Sequence, residues 1–152
     1  MKNKQYIKNL QKLLTDSLLE QNKKSLIKWN IENTNSIDFF QDVFSNGLCF
    51  NFQEASKKFL PDWIEYTIMF GEDEYDYGQH YVLKHPTKDL FFDVFGLRII
   101  DDILKTYDAQ NDPYIWHGEA EGCHFYSVDD DIVSDIAILF IDLYNDNIKL
   151  AS

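Results

Sequence analysis

Among 152 residues the chain has only two cysteines, three prolines and six glycines. Two thiols do not make a disulfide framework, so reduced cysteines are expected. With no Pro/Gly/Ser-rich tract and no internal repeat, nothing marks a linker, and a single domain over residues 1–152 is expected. Positive charge is scarce: 14 Lys and Arg stand against 26 Asp and Glu, a formal net charge of −12. Such a surface repels phosphate backbones, which argues against nucleic acid as a ligand and favours a protein substrate or partner with a basic surface. Long apolar runs are missing too. The run at residues 136–141 is far too short to cross a bilayer, so no membrane contact is expected. Lys2, Lys4 and Lys8 suggest a leader, but Gln11, Lys12 and Asp16 interrupt the apolar stretch it needs. The expected setting is cytoplasmic, in the producing cell or in a target cell that receives the protein. No P-loop, dinucleotide fingerprint or Gly-x-Ser-x-Gly elbow occurs, and no cofactor is expected.

Core material is plentiful, at 45% hydrophobic and 16% aromatic residues. Residues 4–19 carry Tyr6, Ile7, Leu10, Leu13, Leu14 and Leu18 at helical spacing. Leu26, Ile27 and Trp29 add a short apolar patch. Ser36 is the expected cap of a second helix holding Phe39, Phe40, Val43 and Phe44. After the turn signal at Asn46-Gly47, residues 49–60 read as a helix ending at Pro61. Strands are expected at 64–70, 80–84 and 89–95, a helix at 97–107, an irregular stretch at 108–122, a short strand at 123–128 and a helix at 131–144. The whole reads as α+β, with N-terminal helices packed on a small antiparallel sheet. Its parts are a helical region at 1–45, a cysteine helix with the strand core at 46–96, and C-terminal helices with a short strand at 97–152.

Three residues stand out for chemistry. Cys49 opens a helix just behind a glycine turn, where spare N–H groups and the positive end of the helix dipole favour a thiolate. A thiolate is the competent nucleophile, and the same N–H groups suit a developing oxyanion. Gly47 leaves the backbone open to a substrate. His80 starts one strand and Asp93 lies near the end of the next. Pairing Lys84 with Asp89 around the loop His85-Pro86-Thr87-Lys88 sets His80 directly opposite Asp93, with Cβ atoms about 4.5–5.5 Å apart. The carboxylate then takes one imidazole nitrogen and leaves the other for sulfur.

The segments Asn46-Gly47-Leu48-Cys49-Phe50, Gly78-Gln79-His80-Tyr81-Val82 and Phe91-Phe92-Asp93-Val94-Phe95-Gly96 resemble the papain-like cysteine enzymes, above all their transglutaminase-like branch. The resemblance spans about residues 46–96. It implies a nucleophilic cysteine at the tip of a helix packed on an antiparallel sheet, with histidine and aspartate on adjacent strands. The implied chemistry is acyl transfer, peptide or amide hydrolysis, or glutamine deamidation. The chain departs from the family in its compactness, in the interval between Cys49 and His80, and in lacking a Pro-Thr continuation after the aspartate. Gln41 and Asn46 are candidates for the oxyanion-assisting amide, and Gln79 and Trp116 for substrate contact.

Other features have simpler accounts. His117, Cys123 and His124 do not match a structural zinc spacing, and no metal is expected. The acidic segment 72–76 reads as a solvated loop, and Asp129, Asp130 and Asp131 as the cap of the last helix. A reading without catalysis also fits the charge: an acidic binding or inhibitory protein of phage or immunity type, engaging a basic partner that ordinarily holds nucleic acid. On that reading the triad residues are packing.

Overall fold

The apolar stripe near the N-terminus forms α1 (Lys4–Gln21), which buries Leu10, Leu14 and Leu18 one above another along a single face. The computed structural model describes residues 4–21, 35–45, 47–71, 77–106, 114–117 and 127–151. The patch at Leu26, Ile27 and Trp29 and the acidic segment 72–76 lie outside these residues. Helix α2 (Ser36–Val43) is capped by Asn35 rather than by the expected Ser36. The Asn35 backbone is extended and its Oδ1 accepts from the Asp38 N–H at 2.9 Å, whereas the Ser36 hydroxyl donates to Gln11 Oε1 of α1. Helix α3 (Cys49–Phe59) follows and stops before Pro61, as its sequence implies.

Five strands then form one antiparallel sheet in the order β4-β3-β2-β1-β5. They are β1 (Ile64–Gly71), β2 (Tyr77–Lys84), β3 (Phe91–Asp93), β4 (Gly96–Arg98) and β5 (Tyr114–His117). Strand β1 pairs with β2 from Ile64 opposite Lys84 to Gly71 opposite Tyr77, and with β5 from Tyr66 opposite His117 to Met69 opposite Tyr114. Helix α4 (Ile100–Thr106) lies between β4 and β5 in the chain, and α5 (Asp130–Leu143) and α6 (Asn145–Ala151) end it. Asp129 caps α5, its carboxylate accepting from the N–H groups of Asp131 and Ile132.

The sheet has a core on each face. Leu83 and Phe92 join the main core with side chains from α1, α2, α3, α5 and α6. Ile68, Val82 and Phe91 form a smaller cluster with Ile103 of α4. Alternation along the strands accounts for the division, since neighbours such as Val82 and Leu83 point to opposite faces.

Several boundaries differ from those the sequence suggests. The strand expected at 89–95 is confined to Phe91–Asp93, because the chain reverses at Val94 and Phe95. The Asp93 carboxylate accepts from the Phe95 N–H at 2.8 Å, and Gly96 supplies a φ of +99°, so the turn closes at once and opens a strand where helix was expected. Residues 114–117, expected to be irregular, are a strand built of β-favouring side chains. Of the strand expected at 123–128, residues 123–126 lie outside the described set, and 127 and 128 are irregular. The last helix breaks at Tyr144 and resumes as α6.

The hairpin register also differs. Leu83 pairs with Phe92 and Lys84 with Phe91, and the His85 N–H donates to the Leu90 carbonyl at 2.8 Å. Continued, that register sets Asp93 opposite Val82, two residues from the expected partner. A slip of two preserves the face on which each side chain lies, whereas a slip of one would have reversed it. His80 and Asp93 therefore remain neighbours, on the diagonal rather than directly opposed.

Candidate active site

Helix α3 brings Cys49 to the sheet. Gly47 takes a φ of +127°, a conformation other side chains rarely adopt, and the Leu48 N–H returns to the Val43 carbonyl at 3.3 Å. The first turn has no side-chain cap, and the Phe52 N–H to Leu48 carbonyl bond is the first along the helix. The Cys49 N–H precedes that bond and is directed at its own sulfur.

A clasp one turn along holds the helix in place. Gln53 Nε2 donates to the carbonyls of Tyr66 and Val82, directly paired residues of β1 and β2, at 2.9 and 2.8 Å. Phe50 packs edge-on against Tyr81 with ring centroids 5.2 Å apart. The sulfur meets the edge of β2 where its ladder with β3 has ended. Like those of His85 and Leu83, the Tyr81 N–H points to the β3 side, where the ladder with β3 runs only from Lys84 opposite Phe91 to Leu83 opposite Phe92. It is the Cys49 sulfur that receives this N–H.

His80 is fully buried, and its Nε2 lies 2.8 Å from Asp93 Oδ2. Its ring is also hydrogen-bonded to Cys49, which falls to Nδ1 because Nε2 is committed to the carboxylate. Asp93, 2% exposed, has a third partner: Arg98 Nη2 donates to the same Oδ2 at 2.6 Å. The result is a continuous row of thiol, imidazole, carboxylate and guanidinium.

Burial pushes the Cys49 thiol up, but the His80 hydrogen bond and charge, with the N–H groups of Tyr81 and Cys49, outweigh it and hold the thiol below its ordinary value. Burial pulls His80 down, yet its bonds to Asp93 and Cys49 and their charges lift it to about 9. For Asp93, burial acts upward and is overcome by His80, Arg98 and the Phe95 N–H, which hold the carboxyl below its usual range. At neutral pH the imidazole is protonated, the carboxylate and guanidinium flank it, and the lowered thiol pKa shifts Cys49 toward the thiolate.

The remaining candidates are dispersed. Gly47 is exposed beside the helix tip. Gln41 Nε2 donates to the Val94 carbonyl at 3.5 Å and to the Tyr144 hydroxyl at 3.4 Å, at the turn that follows Asp93. Asn46 lies outside the described residues. Gln79 is next to His80 on β2, and Trp116 stands on β5 in the cross-sheet row through Thr67 to Tyr81. His117 is on β5, while Cys123 and His124 lie outside the described residues; among those described, no group of three or more metal-ligating side chains assembles. A surface groove of about 370 Å³ lies at the other end of α3, between Phe59, Leu60, Trp63, His85 and Pro86.

Sequence reasoning missed Arg98, Gln53 and the Tyr81 N–H. Arg98 carried a readable signal: it is the only arginine in the chain, against 13 lysines. A forked, permanently charged donor is the residue suited to a buried carboxylate, where lysine is not its equivalent. Comparisons of the chain with protein families, with curated proteins and with solved structures return no match.

Proposed function

We propose that the protein is a small thiol enzyme acting on an amide or acyl group, with Cys49 as nucleophile, His80 as proton carrier and Asp93 as the group that orients His80. One observation carries this reading: a buried Cys49 sulfur bonded to a His80 ring whose far nitrogen is held by Asp93 at 2.8 Å. That order of roles is what acyl transfer by a thiolate requires. The papain-like and transglutaminase-like resemblance of residues 46–96 agrees with it.

In the first half-reaction the Cys49 thiolate bonds to the carbonyl carbon, and the carbonyl electron pair moves onto oxygen. The Cys49 N–H, directed at the sulfur in the resting thiolate, turns to that oxyanion once the sulfur has given up its charge to the new bond. Collapse breaks the carbon–nitrogen bond, and the His80 Nδ1 proton goes to the departing amine or ammonia, leaving a thioester. Water then attacks the thioester, His80 takes its proton, and the thiolate departs. No cofactor enters this cycle.

Cys49 is only 7% exposed, so a slender reactive group suits the site better than a main-chain peptide bond. The carboxamide of a protein glutamine meets that requirement, and the reaction proposed on it is hydrolysis to the acid. The acidic surface suits a basic protein as the substrate's carrier.

The test is alkylation by iodoacetamide between pH 5 and 9, with Cys49→Ala as the control for the site of labelling. The expected rate rises through an apparent pKa well below that of a free thiol, about 8.5. A rate that rises only near 8.5 refutes thiol activation. Binding of a basic partner that weakens with salt and is indifferent to Cys49→Ala favours the inhibitor reading instead.

A further inference from the structure

Resting on the assignment of Cys49 as nucleophile, we propose that Arg98 is a positioning residue of the same site, acting through Asp93 to keep the buried row charged and aligned. The guanidinium is fixed on three sides. Nη2 meets Asp93 Oδ2 at 2.6 Å, Nη1 donates to Thr106 Oγ1 at 2.6 Å, and the cation lies 4.8 Å from the centre of the Phe95 ring. Thr106 belongs to α4 and Phe95 to the β3–β4 turn, so two elements aim it at the carboxylate. Its side chain is 15% exposed, and its Nε is buried without an acceptor. A position chosen for hydrogen bonding alone leaves that donor poorly served; one chosen for charge tolerates it.

The electrostatic logic is one of balance. Thiolate, imidazolium and carboxylate sum to one negative charge in a buried place, and the guanidinium brings the sum to zero. Loss of that positive charge raises the proton affinity of every titrating member of the row. The thiolate then forms at higher pH, although Arg98 does not touch sulfur. Among the described residues, the groups nearby are these. The Tyr144 hydroxyl, from the α5–α6 junction, stays neutral, its pKa held above its ordinary value by burial. On α4, Asp101, Asp102 and Lys105 are exposed to solvent.

The experiment compares the pH dependence of Cys49 alkylation in the full chain for the native protein, Arg98→Gln and Arg98→Lys. Gln keeps a donor for Asp93 and drops the charge; Lys keeps the charge and drops the fork. The expected outcome is an Arg98→Gln limb moved up by roughly one pH unit, with Lys restoring most of it. A Gln limb that coincides with the native one overturns the role of Arg98 while leaving the thiol enzyme standing. A native limb near 8.5 instead removes the thiol enzyme and this role with it. Should Arg98→Gln not fold, the native protein gives the answer by NMR. Its single arginine makes the guanidinium nitrogen signals unambiguous, and they are expected to shift in step with the alkylation limb. Signals flat across that limb overturn the proposal.

Discussion

Asp93→Asn tests the buried row as an energetic unit. Three donors converge on the carboxylate: His80 at 2.8 Å, Arg98 at 2.6 Å and the Phe95 N–H at 2.8 Å. An amide of the same shape offers one acceptor oxygen and turns an NH₂ group toward donors that have nothing to give it. Removing one partner of a buried ion pair costs about 3–5 kcal/mol, because the other charges stay behind unpaired. A second route gives a similar figure. His80 moves from an ordinary 6.5 to about 9 in the folded protein, raised by Asp93 and Cys49 together, and at about 1.4 kcal/mol per pH unit the Asp93 share is at most about 3 kcal/mol. The sign follows from the raised value: the contribution is complete below about pH 6.5 and disappears as pH climbs through about 9. Asp93, held low, acts oppositely, its contribution present above the ordinary carboxylate range and lost as acid protonates it. Urea unfolding of both proteins from pH 4 to 10 reads this directly. The stability gap is expected to be about 3 kcal/mol near pH 6 and to narrow toward pH 10. A gap that is small or unchanging from pH 6 to 10 refutes the charged row.

Two substitutions probe the frame around it. A Cβ at Gly96 would meet the Tyr144 ring at 2.9 Å on a backbone of φ +99°, so Gly96→Ala is expected to lower stability by about 1–3 kcal/mol in denaturant unfolding and to blunt Cys49 alkylation through the adjoining Asp93 turn. Gln53→Ala is expected to cost about 2–3 kcal/mol by the same assay, from a cavity and two lost carbonyl contacts, whereas Gln53→Met, which fills the space and removes an oxygen buried without a partner, costs about 1 kcal/mol or less.

The helices were legible where a local signal sufficed: the Leu10, Leu14 and Leu18 stripe, the Pro61 stop, and the acidic cap before α5. The site was legible for a different reason. Cys49 declares its place by the glycine turn before it, and a carboxylate between Phe92 and Val94 demands a partner wherever its strand lies. The exact register did not have to be right, since a slip of two residues keeps His80 and Asp93 on one face. What could not be read was what long-range contact decides. Gly96 looked like a strand stop and is instead the left-handed hinge of a two-residue turn. Arg98 looked like the start of a helix because its role depends on a carboxylate five residues back, and Gln53 looked like a polar position on a helix until β1 and β2 were placed beneath it.

The composition of the buried row bears on why it exists. Taking ions out of water costs several kcal/mol apiece, and apolar residues of similar volume commonly serve stability as well or better. The sheet face around Asp93 has such residues at hand in Val82, Phe91 and Ile103. A row maintained for packing alone would be expected to drift toward them. Instead each group is hydrogen-bonded to the next, and the row ends in a sulfur at the tip of a helix, which is also its most nucleophilic member. That ordering favours chemistry over architecture as the property the arrangement serves. Cys49→Ala is therefore expected to keep the His80–Asp93–Arg98 contacts, since the thiol is the end of the row, at a cost of about 1–3 kcal/mol in denaturant unfolding from the Tyr81 N–H and the His80 ring nitrogen that lose the sulfur.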